Sequence, residues 1–138
     1  MTENSPKAVA LDMIRSFDRT GRYLDSYADD AVWHFAPTAE SPQWRRVDGK
    51  AARRALHHQV YDSATFLDMS VVQAVEDGND VAVHYTFRME SPATASLGGR
   101  VRVEVTTFYS VRDGLIVAQK QFSGPTIPDT GSDEGGGQ

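Results

Sequence analysis

The sequence predicts an α+β domain in which amino-terminal helices pack on one face of a curved antiparallel sheet. Apolar residues recur at three- and four-residue spacing over about residues 6–20 and again over about 49–62, which is typical of amphipathic helices. From residue 66 onward the spacing changes to two, and turn sequences separate four strand-like segments. Helices that precede a meander of strands favour a layered fold with the helices on one sheet face.

The start of the first helix is predicted by Ser5 and Pro6. A serine oxygen can accept a hydrogen bond from an unpaired backbone N–H of the first turn, and proline has no N–H that would be left unpaired there. Gly21 is a natural end, so we place this helix at about residues 6–20. Its apolar stripe consists of Val9, Ala10, Met13, Ile14 and Phe17.

A second, short helical turn is expected over residues 23–27, followed by a short strand over 31–35. Residues 36–48 contain two prolines and lack periodicity, so we expect a loop there. A third helix should begin at Asp48 or Gly49 and end near residue 62. Its buried side is predicted to contain Ala52, Leu56 and Val60.

Strands are predicted over residues 66–76, 81–90, 100–111 and 115–123. In the second and third of these, alternation assigns the odd-numbered positions to the interior. Those inward residues are Val81, Val83, Tyr85, Phe87 and Met89, followed by Val101, Val103, Val105, Thr107 and Tyr109.

The last strand does not alternate cleanly. If its odd-numbered side faces inward, Gln119 and Gln121 enter an apolar interior, where each unpaired amide would cost about 1–3 kcal/mol. A polar group of a ligand or an ordered water would then be implied. Alternatively, the strand lies at a subunit interface and both amides are hydrogen-bonded across the sheet surface.

The chain has 138 residues, of which 40 % are hydrophobic and 24 % charged, so one domain is expected. We place a flexible amino-terminus at residues 1–5 and a single domain at 6–123. Residues 124–138 are turn-prone and poor in apolar residues, which predicts a disordered tail.

Composition argues against several classes of function. The net charge is −5 and no basic run is interleaved with aromatic residues, so nucleic acid is not an expected partner. Without cysteine the chain has no disulfide and no thiolate chemistry. No apolar stretch has the length of a membrane span and residues 1–7 lack a signal region, which predicts no membrane partner and a cytoplasmic location. No metal-ligand spacing, phosphate-binding loop or nucleophile elbow is found, so we expect no metal and no cofactor.

His34 is the first candidate for catalysis, because a neutral imidazole can act as acid or base near pH 7 and this one lies in a short apolar strand. Alternatively, His34 points to the surface while Trp33 and Phe35 point inward. Of His57 and His58 on the third helix, one must face outward and the other can border the interior.

The densest basic cluster is interpreted as a solvated loop and helix face. The alternative is that it binds an anionic ligand. The cluster consists of Arg45, Arg46, Lys50, Arg53 and Arg54.

Three stretches carry a resemblance to a known family: residues 27–33 (Tyr-Ala-Asp-Asp-Ala-Val-Trp), Gly49-Lys50 at a helix start, and residues 108–116 (Phe-Tyr-Ser-Val-Arg-Asp-Gly-Leu-Ile). With this order of elements, the chain resembles the SnoaL-like and ketosteroid-isomerase-like branch of the nuclear-transport-factor-2-like superfamily over about residues 6–123. The resemblance implies a cone-shaped fold with three amino-terminal helices, a pocket for a small molecule, and often a dimer.

The chain departs from this family at the positions where relatives carry acids. In the isomerase branch a general-base aspartate would fall at His34 or Phe35, and a second aspartate at Thr107. The tyrosine that the isomerases carry on the first helix would fall at Ile14. The acid of cyclase relatives would fall among Gln119, Gln121 and Ser123.

The resemblance implies no particular reaction. The leading hypothesis is a cofactor-independent cyclase or isomerase that acts on an apolar carbonyl compound of polyketide, steroid or terpenoid type. His34 would carry the proton, and the substrate would contact Trp33, Tyr85, Phe87, Val105, Thr107, Tyr109, Gln119 and Gln121. The alternative is a noncatalytic module for binding or interaction. A homodimer is expected through the outer sheet face, where Phe108, Ile116, Ala118 and Phe122 would lie.

Overall fold

A computed structural model of the chain describes residues 5–38 and 41–129. Within these ranges the α+β class is confirmed: two α-helices and two 3₁₀ helices accompany one six-stranded sheet. The elements are α1 (Pro6–Arg15), a first 3₁₀ helix (Arg22–Ser26), β1 (Tyr27–Phe35), β2 (Arg45–Asp48), α2 (Lys50–Ser63), β3 (Thr65–Asp77), β4 (Asp80–Glu90), a second 3₁₀ helix (Pro92–Leu97), β5 (Arg100–Arg112) and β6 (Leu115–Pro128).

The sheet has the order β2-β1-β6-β5-β4-β3. Strands β3 to β6 form the predicted antiparallel meander. The chain then returns so that β6 lies beside β1 and runs parallel to it, with Trp33 opposite Gln119. The sheet is therefore mixed and not purely antiparallel, because a strand from the start of the chain closes against the strand at its end.

Helix α1 begins as predicted, with the Ser5 hydroxyl accepting the amide of Ala8 at 3.1 Å and Pro6 at the first helical position. It ends at Arg15, five residues before the predicted end at 20. The reason is local: Asp18 accepts hydrogen bonds from both Thr20 and Arg22, which holds this stretch in a turn. Within the described ranges, no helix is long and apolar enough to cross a bilayer.

Two predicted boundaries are wrong because strand pairing extends further than the sequence pattern indicates. The stretch 36–48, predicted as a loop, contains β2, which pairs with β1 from Phe35 opposite Arg45. Strand β6 continues to Pro128 and not to 123, since its end still pairs with β5 at Val101. Residues 1–4 and 130–138 lie outside the described residues, and so do the predictions for them.

The core lies between α1 and the centre of the sheet, on what we call the inner face. Alternation in β4 and β5 is confirmed, since their odd-numbered valines are buried against α1. Trp33 of β1 is fully buried and packs on the Tyr27 ring with 4.7 Å between centroids. Burial of this apolar surface supplies the main stabilisation of the domain. The core residues of α1, β4 and β5 are Val9, Ala10, Met13, Ile14, Val81, Val83, Tyr85, Val101, Val103, Val105, Tyr109 and Val111.

A bulge explains why β6 did not alternate cleanly in the sequence. Ser110 lies opposite Ala118 while Val111 lies opposite Ile116, so Val117 is an extra residue in β6. Both Ile116 and Gln119 consequently face inward and are buried. The prediction that Ile116 lies on the outer face is wrong for this reason.

The buried Trp33 and an exposed valine test the assignment of the core. We expect Trp33→Ala to lower the free energy of unfolding by about 3–5 kcal/mol, because it leaves a large cavity under the sheet. Val72→Ala is the control and should change it by no more than about 1 kcal/mol, since that side chain is 58 % exposed on the edge strand β3. Urea unfolding measures both. Equal losses in the two variants would contradict the described core.

Candidate functional site

A cavity of about 270 Å³ lies between α2 and the inner face of the sheet. We call it the inner cavity. More of its wall is apolar than polar, and nine of the sixteen lining residues are apolar. The apolar residues are Phe17, Phe35, Ala36, Leu56, Val60, Phe66, Met69, Phe87 and Met89. The polar ones are Thr38, Arg45, Arg53, His57, Tyr85, Gln121 and Ser123. A larger depression of about 590 Å³ around Tyr61 and Ser91 is more open and more polar, and therefore less suited to an apolar ligand.

Three of the predicted contact residues line the inner cavity, namely Tyr85, Phe87 and Gln121. The others named for the substrate site are buried but lie outside the lining, because α1 fills the space over the middle of β4 and β5. The hollow is therefore displaced toward α2. These buried residues are Trp33, Val105, Thr107, Tyr109 and Gln119.

His34 lies on the outer face, so its placement as proton carrier in the inner cavity is wrong. In β1, Trp33 and Phe35 are buried and His34 is only partly covered. His34 borders an outer-face depression of about 500 Å³ together with Phe108 and Lys120. The alternative orientation considered from the sequence is the one found, because side chains of a strand alternate between faces.

Gln119, Gln121 and Ser123 face inward and form a chain of side-chain hydrogen bonds along β6. The Tyr27 hydroxyl donates to Oε1 of Gln119. Nε2 of Gln119 then donates to Oε1 of Gln121 at 3.5 Å, and Nε2 of Gln121 donates to Oγ of Ser123 at 3.1 Å. Gln119 is thus satisfied by the protein, while Gln121 and Ser123 meet the cavity. Such a chain fixes the orientation of each amide.

Tyr85 of β4 lines the inner cavity and carries a hydroxyl group. This hydroxyl lies 3.4 Å from Oγ1 of Thr107 on the neighbouring strand. Burial raises the pKa of Tyr85, so the phenol stays protonated at neutral pH and can donate a hydrogen bond.

His57 of α2 is buried, with 1 % of its surface exposed, whereas His58 is exposed. Its Nε2 lies 3.1 Å from the carbonyl oxygen of Arg19, and its Nδ1 lies 3.1 Å from the Tyr23 hydroxyl. A carbonyl can only accept, so Nε2 carries the hydrogen and Nδ1 accepts from Tyr23. Burial lowers the pKa of His57, and the charge of Arg53 adds to this, so the ring is neutral. Burial also raises the pKa of Tyr23 to about 12, which keeps it a donor.

Arg53 belongs to the basic cluster that was interpreted as a solvated face, with binding of an anionic ligand as the alternative. Its Nε and Nη1 atoms are buried and have no hydrogen-bond partner. The guanidinium carbon lies 5.7 Å from the centroid of the Tyr23 ring. Arg53 was assigned to a solvated face, yet it lies one helical turn before His57 and shares its side of α2. Ala52, predicted to be buried, is exposed.

The four-residue spacing of Arg53 and His57, next to Leu56 and Val60, indicates in the sequence that these side chains share one side of the helix. It places all four on the side of α2 that faces the sheet and the first 3₁₀ helix, and all four line the inner cavity. Among the described residues of that lining there is no aspartate or glutamate. The described ranges also contain no group of three or more His, Asp or Glu residues arranged to hold a metal ion.

Comparison with known families gives a match to the SnoaL-like domain over residues 15–119. No curated protein matches the chain at a significant level. The matched range covers the inner cavity from Phe17 to Met89 and ends within β6.

Several solved structures share the fold. A protein named as a candidate SnoaL-like polyketide cyclase from Mesorhizobium loti has a TM-score of 0.65 and 22 % identity, over 82 % of this chain and 94 % of that one. An LEH-like epoxide hydrolase from M. tuberculosis has a TM-score of 0.65 and 16 % identity, over 86 % of this chain and 82 % of that one. A protein with a ketosteroid isomerase-like fold from Catenulispora acidiphila, in complex with trimethylamine, has a TM-score of 0.67 and 10 % identity, over 85 % of both.

The neutral state of His57 predicts a pH dependence of stability. The unfolded chain binds a proton at His57 below about pH 6.5 and the folded protein resists it, so stability falls as the pH is lowered through that value. Urea unfolding at pH 7.5 and 5.5 measures the loss. In His57→Gln the loss should be smaller than in the parent.

His58→Gln is the matched control on the next position of α2 and should keep the parent's loss, because His58 is exposed. An identical pH dependence in His57→Gln and the parent would contradict the burial of a neutral imidazole at this position.

Proposed function

This chain belongs to the SnoaL-like domain family, and we propose that it binds a compact apolar carbonyl compound in the inner cavity and isomerises or cyclises it. The observation that carries this proposal is the cavity itself, an apolar hollow with hydrogen-bonding groups from β4 and β6 on its wall. Small-molecule sites typically combine an apolar wall with a small number of placed polar groups.

The size of the inner cavity favours a small substrate. Pockets for drug-sized ligands measure roughly 300–1,000 Å³, and the inner cavity measures about 270 Å³. A molecule with one or two rings, of terpenoid size, suits this volume better than a four-ring steroid. The substrate class is thereby narrowed within the range that the sequence resemblance implies.

Tyr85 and Gln121 would supply the chemistry by donating hydrogen bonds to a carbonyl oxygen that becomes an enolate. The phenol of Tyr85 is protonated, and the amide of Gln121 is oriented by Gln119 and Ser123. Donors that are already in place stabilise a developing negative charge without the cost of reorganising solvent. The apolar wall would orient the rest of the substrate and exclude water.

The cavity lining contains few groups that could transfer a proton. His57 is the titratable base on the wall, and its Nδ1 is occupied by the Tyr23 hydroxyl. His57 could accept a proton only after that hydroxyl turns away, so orientation of the substrate would supply most of the rate enhancement.

A noncatalytic binding protein is the second candidate. It is favoured by the absence of a carboxylate among the described lining residues and by the occupation of both His57 nitrogens. The two functions differ in what happens to the ligand. After incubation with a cell extract, mass spectrometry should find a converted compound for an enzyme and an unchanged one, bound in stoichiometric amount, for a binding protein.

Gln121 provides a direct test once thermal-shift screening has identified a substrate, since a ligand of the native state raises the melting temperature. We expect Gln121→Met to lower turnover about 100-fold, because an oriented donor to the enolate is lost. Gln73→Met, at an exposed position of β3, is the control and should leave turnover unchanged. Full activity in Gln121→Met would remove β6 from the mechanism.

The outer face of the sheet is proposed as the surface of a homodimer. Phe108 is 51 % exposed and Phe122 is 40 % exposed, and their rings lie 6.1 Å apart. Trp44 continues this aromatic patch, with 5.8 Å between its ring centroid and that of Phe122. Contiguous exposed aromatic residues of this kind mark interaction surfaces.

Sedimentation at micromolar concentration measures the assembly. We expect a dimer for the parent and a monomer for Phe108→Asp, because the charge would be buried without a partner. Val72→Asp is the control, since Val72 is 58 % exposed on the edge strand β3 and away from the patch. A monomeric parent, or a dimer that survives in Phe108→Asp, would contradict the proposed surface.

A further inference from the structure

We propose that Arg53 forms an anion-binding subsite in the inner cavity, so that the ligand is a small amphipathic anion with a carboxylate on an apolar body. This inference rests on the proposed function, because it assigns the chemical class of the molecule that the cavity takes. It is carried by the state of the Arg53 side chain and by the charges around the cavity.

Two of the three guanidinium nitrogens of Arg53 are buried without a partner in the protein, while the residue as a whole is partly exposed. Both Nε and Nη1 are shielded from solvent and lack a partner. Burying an unpaired charge is costly, and charges inside proteins are normally paired. The contact with the Tyr23 ring, at 5.7 Å, offsets only part of that cost. A bound anion would supply the missing hydrogen-bond acceptors.

Other basic side chains of the protein are paired with aspartates. Arg22 lies 3.0 Å from Asp18, Arg46 lies 2.6 Å from Asp48, and Lys50 lies 3.5 Å from Asp29. Arg88 contacts Asp68. All of these pairs are on the surface, where a lone charge would cost little. Nε and Nη1 of Arg53, in contrast, are buried and have no partner.

The charge on the cavity wall is opposite to that of the whole chain. The net charge of the protein is −5. The described lining nevertheless contains two arginines and no carboxylate. Arg45 is exposed and lies over the Phe35 ring, 5.2 Å from its centroid. A low-dielectric hollow with charges of one sign concentrates ligands of the other sign.

A carboxylate on an apolar body fits these groups. Arginine binds carboxylates through a planar set of N–H donors, and such charge-assisted hydrogen bonds are strong. The apolar rings of the wall leave the remainder of the ligand an apolar surface to contact. The anion would fix one end of the ligand at Arg53, leaving its other end to Tyr85 and Gln121. Arg53 would therefore act as a binding residue that selects substrates.

The experiment compares acids with amides of nearly the same shape. Benzoate, phenylacetate and cyclohexanecarboxylate are titrated into the full chain by calorimetry, beside benzamide, phenylacetamide and cyclohexanecarboxamide. We expect at least one acid to bind about tenfold or more tightly than its amide. The preference should disappear at a pH below the pKa of that acid.

Three variants assign the preference to one residue. Arg53→Met should abolish the preference for the acid, and Arg53→Lys should retain part of it. Arg54→Met, at the next position of α2, is the control and should behave as the parent. Without ligand, Arg53→Met should melt no lower than the parent, because it removes an unpaired buried charge. If Arg53→Met does not fold, Arg53→Lys and Arg53→Gln take its place.

The outcomes separate this inference from the function on which it rests. Amides that bind as tightly as the acids would overturn the anion subsite and leave the small-molecule cavity in place. A preference for acids that persists in Arg53→Met would also overturn the role of Arg53. If none of the six probes binds, the proposed small-molecule function fails and the anion subsite fails with it.

Discussion

The position of α2 depends on one buried imidazole, and the inner cavity depends on the position of α2. His57 binds the Arg19 carbonyl and the Tyr23 hydroxyl, which ties the middle of the helix to the segment before β1. At its start, the amide of Gly49 donates to the carbonyl of Ala31 at 2.8 Å. Helix α1 packs directly on β4 and β5, whereas α2 is anchored toward β1 and β2. Because the two helices pack on different strands, the inner cavity remains open between α2 and the sheet.

The polar groups on the wall of the inner cavity determine which ligand groups it can bind. The amides of β6 are held by a chain of hydrogen bonds that begins at Tyr27, so their orientation is set before a ligand arrives. Arg53 differs from them because its buried nitrogens have no partner in the protein. The fold shared with distant SnoaL-like structures positions these groups but does not determine a reaction. Function is therefore argued from the site.

The sequence predicted those parts of the site that follow from simple periodicity. Alternation in β4 placed Tyr85 and Phe87 inside, because a strand with one buried face must alternate. The bulge at Val117 changes the phase of β6 and could not be read from the pattern, so Ile116 was assigned to the wrong face. The orientation of His34 was left open, because imidazole chemistry favoured the interior and the alternation of its aromatic neighbours favoured the surface. For Arg53 a solvated position was preferred to anion binding, because a charged side chain on a helix is usually solvated.

The most direct measurement is the nuclear magnetic resonance of the Arg53 Nε–H group and of backbone amides during titration with phenylacetate. If the inner cavity is the ligand site, the Arg53 Nε–H signal should shift strongly, together with the amides of Tyr85 and Gln121. Amides near Phe108 on the outer face should not move. Shifts confined to the outer face, or an Arg53 signal unchanged at saturating ligand, would contradict the cavity as the functional site.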